Sequence, residues 1–184
     1  GNDMNVSEVI EKRRTIRKFK QTPIDADVLR ELVRLASLSA SAANLQPLKY
    51  KISTDEKNFD TLKWAGYLKD GAPKEGERPV AYIAVLGDSK LSKNPAADAG
   101  AAITTLMLAA AERGIGTCWL GSVDRTAAKK ILEIPEDLDL LYMIALGYPA
   151  QENSVCEAHG DIEYFEDGKG GLVVPKRPLS EILL

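Results

Sequence analysis

Apolar positions in the first forty residues recur at helical spacing. Val6, Val9 and Ile10 trace a short amphipathic helix that Asn5 or Ser7 can cap. It runs into Lys12 to Lys20, where Ile16 and Phe19 punctuate a dense run of charge. There the chain is expected to leave the helix and lie extended. A second helix opens at Pro23-Ile24-Asp25. Asp25 is a good N-cap, and Asp27 sits in the first turn, where the helix dipole favours a carboxylate. Val28, Leu32, Leu35, Ala36 and Ser39 trace its apolar face. The small, polar run Ser39-Ala40-Ser41-Ala42-Ala43-Asn44-Leu45-Gln46-Pro47 follows. Leu48, Tyr50 and Ile52 then alternate with Lys49, Lys51 and Ser53, which predicts a half-exposed strand.

Phe59, Leu62 and Ala65, with Gly66, predict another helix, and Gly71 to Pro79 a loop. Val80 to Leu86 is a continuous apolar run of strand length, as a central strand requires. Ala96 to Arg113 predicts a long helix, apolar nearly all round and therefore buried on most sides, with Gly114 as its C′ residue. A subunit interface is a natural way to bury it, and Asp98 is read as part of that interface. Ile115 to Gly121 and Leu140 to Gly147 read as strands, separated by a short helix capped by Asp124. Gln151 to Lys169 is polar and read as irregular. After Pro175-Lys176-Arg177-Pro178, the residues Leu179, Ile182 and Leu183 share one face of a short helix or docked tail. The pattern predicts one α+β domain over residues 1–184, a mixed sheet of about four strands with helices on both sides.

Composition narrows the function. Apolar residues make up 45% and charged residues 28% of the 184, an ordinary globular balance. A pI near 5.4 weighs against nucleic acid as the main partner. Cys118 and Cys156 make no disulfide framework, and with one histidine they are too few for a zinc set. A reducing cytoplasmic setting is the expectation, since no basic-then-apolar signal pattern opens the chain. The longest apolar stretch, Ala99 to Ala111, is too short for a membrane span and carries Thr104 and Thr105.

Six of the nine residues Lys12-Arg13-Arg14-Thr15-Ile16-Arg17-Lys18-Phe19-Lys20 are cationic in a chain of net charge -3. Taken alone, such a run reads as a solvated surface; its sharper reading is a phosphate clamp. A Ser or Cys nucleophile lacks a base, because the only histidine is His159 in the polar tail. Gly114-Ile115-Gly116 follows a helix and opens a strand, the reverse of a dinucleotide fingerprint. Cys118 reads as a small buried apolar residue, Trp119 as core and His159 as solvated. A phosphate clamp and a small polar loop without acid–base machinery are what an organic cofactor leaves for the protein to supply.

Four motifs then resemble the FMN-dependent nitroreductase family, in the family's order. Arg13-Arg14-Thr15-Ile16-Arg17 with Phe19 is similar to its Arg-Arg-Ser-Ile-Arg-x-Phe opening. Ser41 to Pro47 resembles its Pro-Ser-x-x-Asn-x-Gln-Pro-Trp loop. Gly114 to Gly121 resembles its Gly-x-Gly-Thr-Cys-Trp-x-Gly strand, and Lys176 to Ile182 its Arg-Lys-Pro-Leu-Glu-Glu-Ile tail. Together they reverse the solvated reading of the basic run. Ala40 and Leu48 depart from the pattern, standing where the family has proline and tryptophan.

The resemblance implies a nitroreductase-like three-layer sandwich with a mostly antiparallel sheet, assembled as a domain-swapped homodimer with two FMN sites at the subunit interface. It implies Arg13, Arg14 and Thr15 on the phosphate and ribityl chain and Arg17 at the N1/O2 side of the ring. Ser41, Ala42, Asn44 and Gln46 would come from the other subunit. Cys118, Trp119, Leu120 and Gly121 would line the ring, and Lys176 and Arg177 would return to the phosphate. Asp55 to Gly76 would be a shortened pocket region, with Trp64, Tyr67 and Leu68 offered as a lid. The implied activity is hydride uptake from NADH or NADPH and reduction of a nitroaromatic, quinone or similar electron-poor acceptor by a ping-pong route. On the same scaffold, a non-catalytic FMN-binding or storage protein, a reductive dehalogenase or a flavin-consuming enzyme stay open. An anion- or nucleic-acid-binding module is the weakest reading.

Overall fold

A computed structural model describes residues 4–64 and 71–184. Its central sheet is built from β1 (Leu48–Ser53), β2 (Ala81–Asp88), β3 (Gly116–Leu120) and β4 (Leu138–Gly147). The strand order is β1-β2-β4-β3 and every neighbouring pair is antiparallel. The predicted strand assignments hold. β1 alternates as its sequence does, turning Leu48, Tyr50 and Ile52 inward, with Lys49 and Lys51 exposed. Those lysines also guard an edge strand against unwanted pairing.

β2 is buried on both faces, which explains its unbroken apolar run. Ala81, Ile83 and Val85 face one core with α2 (Ala26–Ala36) and α3 (Ala96–Glu112). Tyr82, Ala84 and Leu86 face a second core with α4 (Arg125–Leu132), Leu62 and Val123. Each fully buried Leu or Ile in these layers contributes roughly 1.5–3 kcal/mol. The helices start as the sequence predicts. Asp25 caps α2 by accepting from the Asp27 N–H at 2.8 Å, and Asp124 caps α4 through the Ala127 N–H at 3.2 Å. The first helix, α1 (Val6–Lys12), is capped by Asn5 rather than Ser7, through the Glu8 N–H.

β4 starts two residues before the predicted Leu140 and carries a bulge. Val85 pairs with Tyr142 and Leu86 with Leu140, so Leu141 is the extra residue. The bulge changes the parity of the strand. Leu138 and Leu140 before it, and Met143 and Ala145 after it, all face the second core. Without the extra residue, one half of β4 would present its side chains to the wrong layer. Arg125, the first residue of α4, satisfies the carbonyls that the bulge disturbs. Its guanidinium donates to Leu140 O at 2.9 Å, Leu141 O at 2.8 Å and Gly121 O at 3.0 Å.

Two expectations are corrected. The helix predicted around Phe59 is a 3-10 turn over Glu56–Thr61, after which Leu62 bridges to Val123. Side chains there bond the local backbone: Asn58 Nδ2 donates to Asp55 O and Thr61 Oγ1 to Asn58 O. Such bonds compete with an α-helix. Ala65, Gly66 and the suggested lid residues Tyr67 and Leu68 lie outside the described residues. The stretch read as irregular holds β5 (Ser154–Glu157) and β6 (Phe165–Glu166), which flank β7 (Leu172–Lys176) in a second sheet. β5 is parallel and β6 antiparallel to β7. The last turn, α5 (Leu179–Ile182), is exposed.

Arg125→Ala should lower stability by about 2 kcal/mol, because charged hydrogen bonds to bulge carbonyls are lost. Arg125→Lys should recover little of it, since an ammonium cannot reproduce the planar fork. Urea unfolding midpoints, at unchanged denaturant dependence, measure both.

Candidate functional site

The basic stretch is held as an extended strap beside the sheet. α1 ends at Arg13, whose N–H still bonds Val9 O at 2.9 Å while its backbone turns extended. Thr15 then pairs in parallel with Thr117 of β3, and the Ile16 N–H donates to Thr117 O at 3.0 Å. Further on, Phe19 bridges Pro149, and the Lys20 N–H donates to Tyr148 O at 2.8 Å. Ile16 and Phe19 are the buried anchors of this strap. A Cβ on Gly116 would stand 2.8 Å from Ile16, and one on Gly147 would stand 2.7 Å from Phe19. Both glycines are therefore demanded by close approach.

The second sheet clamps the same strap. The Arg17 N–H donates to Gln151 Oε1 at 2.8 Å, and Asn153 Nδ2 donates to Thr15 O at 2.7 Å. Asn153 Oδ1 in turn accepts from the Leu172 N–H at 2.8 Å. The Arg17 guanidinium lies over the Tyr164 ring, 5.5 Å from its centroid, within cation–π range. Sequence patterning missed Gln151, Asn153 and Tyr164, because isolated polar residues in an irregular run carry no periodicity.

Arg13, Arg14 and Arg17 are half-buried. Among the described residues, no ion pair engages these three, Lys176 or Arg177. Arg14 turns back on its own helix, donating through Nη2 to Glu11 O at 2.8 Å and through Nη1 to Arg13 O. Its Nε is buried without a hydrogen-bond partner among the described residues. Burial foremost, then the neighbouring Arg13, lowers the Arg14 pKa, while Tyr164 opposes the shift. A guanidinium stays charged through this. Half-buried cations and an orphaned donor leave the strap's charge without a carboxylate counter-ion among the described residues.

Seven of the fourteen predicted residues line four separate cavities of the single chain, and Thr15, Ala42, Asn44 and Cys118 to Gly121 line none of these four. Arg13 and Arg14 line one of about 350 Å³ with Gly116, Thr117 and Asn153. Arg17 lines another of about 540 Å³, between Lys74, Gln151 and Leu172. Lys176 and Arg177 line a third of about 470 Å³, which Tyr164 also borders. Ser41 and Gln46 line a fourth of about 170 Å³ against α2 and α3, with Asp98 and Tyr50. Thus Tyr164 links the two basic segments, and the Ser41–Gln46 loop stands apart from them. Within β3, Cys118 and Leu120 face the second core, and the 37% exposed Trp119 faces the other side, edge-on to Tyr142 at 5.1 Å. Gly121 follows at the strand end, its carbonyl held by Arg125.

The loop itself is strained. Ala43, Asn44 and Gln46 hold φ of 50°, 55° and 49°, the left-handed region. Such a residue other than glycine costs roughly 1–2 kcal/mol, least for Asn. Ser41 Oγ offsets part of this by accepting from the Gln46 N–H at 3.2 Å.

An antiparallel sheet between helical layers, with a basic strap laid along its β3 edge, defines an α+β sandwich. Residues 5–172 match the family profile described as "Putative TM nitroreductase", and the chain belongs to that nitroreductase family. It is 31% identical over 159 residues to a "Putative NADH dehydrogenase/NAD(P)H nitroreductase" of Archaeoglobus fulgidus, covering 82% of this chain and 89% of the relative. A crystal structure of the same description from Parabacteroides distasonis superposes with a TM-score of 0.69 at 28% identity, over 86% of this chain and 95% of that one. A "putative nitroreductase" from Desulfovibrio desulfuricans in complex with FMN shares the fold, with a TM-score of 0.73 at 24% identity over 99% and 96% of the chains. The expected fold class is thereby met. Lys176 and Arg177 lie beyond the span that the profile matches.

Burial pushes the Cys118 thiol up to about 11, against a smaller opposing effect of Arg17. The group is neutral at working pH and no nucleophile. Ellman's reagent at pH 8 should therefore titrate one thiol, the half-exposed Cys156, in the native protein and two after denaturation.

Proposed function

We infer that the protein is an FMN-dependent NAD(P)H oxidoreductase of the nitroreductase type, passing electrons to nitroaromatics, quinones or similar electron-poor acceptors. The observation that carries this reading is the strap: Arg13, Arg14 and Arg17, half-buried and without carboxylate partners, fixed along β3. Arg13 would hold the cofactor phosphate, with the unpartnered Arg14 Nε as a second donor and the Thr15 hydroxyl beside them. Lys176 and Arg177 would close on the same anion from β7, across Tyr164. Arg17, pinned through its N–H and its ring contact, would stand by the flavin ring, where a fixed cation favours the negative charge of reduction. Cys118, Trp119, Leu120 and Gly121 supply the strand against which the ring would lie.

When bound, FMN supplies the redox chemistry, accepting hydride from NADH or NADPH and delivering electrons to the acceptor. The chain contributes binding, orientation and electrostatics. Reductant and acceptor would use one place in turn, which gives ping-pong kinetics.

A homodimer belongs to this reading. In the single chain, Ser41 and Gln46 border none of the cavities that the cations line. A second copy would supply Ser41, Ala42, Asn44 and Gln46 to the flavin. Val6, Ile10, Leu179, Ile182 and Leu183 are large apolar side chains left exposed at the two chain ends, available to such an assembly. No helix is long and apolar enough to cross a membrane among the described residues.

Purified protein incubated with FMN and desalted should be yellow, and should oxidise NADH or NADPH with menadione or nitrofurazone in parallel-line kinetics. Colourless protein overturns the reading; yellow protein without turnover reduces it to flavin binding. Arg13→Ala should raise the Kd for FMN about thirtyfold, the equivalent of about 2 kcal/mol for a charged contact. Lys20→Ala should leave the Kd within about twofold, since an exposed lysine outside the contact contributes little.

A further inference from the structure

Asp98 is the one carboxylate on the buried face of α3, among Ala99, Ala102, Ile103 and Leu106. It is 6% exposed. A carboxylate so placed is costly unless its oxygens are satisfied. Its position in the first turn of α3 provides part of that, since the helix dipole favours negative charge there. The rest comes from outside the helix: the Ala42 N–H donates to Asp98 Oδ1 at 3.0 Å. Asp98 Oδ2 is buried without a partner.

The contact falls at a mechanically decisive point. Ala42 opens the 3-10 turn Ala42–Asn44, just before the left-handed residues Ala43 and Asn44. The bonds inside the loop are local: Asn44 N–H to Ser41 O and Leu45 N–H to Ala42 O. None of these local bonds ties the loop to the body of the protein. Ser39 Oγ donates to Thr105 Oγ1 of α3 at 2.8 Å, but it precedes the strained residues and the bond is neutral. A strained loop keeps one shape only when its surroundings over-determine it. At the loop's far end the Asp88 N–H donates to Pro47 O at 2.8 Å, after the strained residues. The bond to Asp98 is the charged one of these three ties, and it alone holds the 3-10 turn itself, joining Ala42 to the sheet-packed helix.

We propose that Asp98 is a positioning residue for flavin binding: through the Ala42 N–H it fixes the Ser41–Gln46 loop in the geometry that presents Ser41 and Asn44 to FMN. This rests on the FMN reading above. The group acts through the loop and touches no cofactor atom. What matters is an acceptor oxygen at the Oδ1 position, so Asp98→Asn preserves the function and Asp98→Ala removes it.

The test is FMN titration of the apoprotein, followed by flavin fluorescence, with circular dichroism to establish folding. Asp98→Ala should raise the Kd at least about tenfold, the loss expected for one charged hydrogen bond. Asp98→Asn should stay within about threefold of the parent, since one neutral acceptor replaces a charged one. Parental affinity in Asp98→Ala, or an Asp98→Asn variant as weak as the alanine one, overturns the proposal. Amide hydrogen exchange of the unaltered protein is the independent arm. The Ala42 N–H should exchange far more slowly than the exposed Ala43 N–H beside it. Equal exchange at the two overturns the proposal even if Asp98→Ala does not fold. An unaltered protein that binds no FMN sinks the functional reading instead, and the tie between Asp98 and the loop is then decided by exchange alone.

Discussion

Gly116 of β3 pairs directly with Gly147 of β4, and the N-terminal strap depends on that bare patch. Ile16 lies where one Cβ would be and Phe19 where the other would be. Two missing side chains let a chain segment approach the sheet closely enough to bury both anchors. Burial of a Leu- or Phe-sized side chain is worth roughly 1.5–3 kcal/mol. Anchored in this way, the strap carries Arg13 and Arg14 on one side of Ile16 and Arg17 on the other. The strap gains one ladder hydrogen bond through Ile16, and polar clamps from Gln151 and Asn153. The strap is not a free tail: it is laid against the sheet by its two anchors and by backbone bonds.

The second sheet has its function in the same place. Gln151 and Asn153 stand at the entrance to β5 and bond backbone groups of Arg17 and Thr15, more than 130 residues away. Through Asn153, the strap and Leu172 at the start of β7 share one amide side chain. Lys176, at the other end of β7, is thereby linked to the segment that carries Arg13. Asn153 thus ties the N-terminal strap to the start of β7, a long-range link that neither basic motif shows by itself.

What the sequence made legible follows from local physics. Asp25 and Asp124 cap helices because a short carboxylate satisfies orphan N–H groups wherever it precedes an apolar period. β2 and β4 are legible as unbroken apolar runs, since both faces are covered. The bulge at Leu141 was not, because it is set by the need to keep both halves of β4 in phase with two cores, a tertiary demand. The second sheet was not, because its strands are short and its bonds non-local. The basic run was legible as a motif, yet Arg14's return to Glu11 O and Arg13 O was not. Asp98 did leave a signal: a lone carboxylate within an apolar helical stripe. Reading that helix as interface alone passed over it.

The two kinds of constraint at the site are complementary. The strap is seated by burial of Ile16 and Phe19, which is non-directional, and its backbone is then clamped by Gln151 and Asn153. The Ser41–Gln46 loop is held by directional bonds against an unfavourable backbone, which fixes orientation at a cost in strain. A phosphate tolerates rotamer freedom in its ligands, because charge attraction falls slowly with angle. A flavin ring edge read by backbone and amide groups does not, because hydrogen bonds weaken steeply below about 120°. On the proposed reading, strain would sit in the loop that orients the flavin and burial in the strap that attracts its phosphate. If each copy in a dimer offers its strap to one site and its loop to the other, the orienting half and the attracting half of a site meet only on assembly.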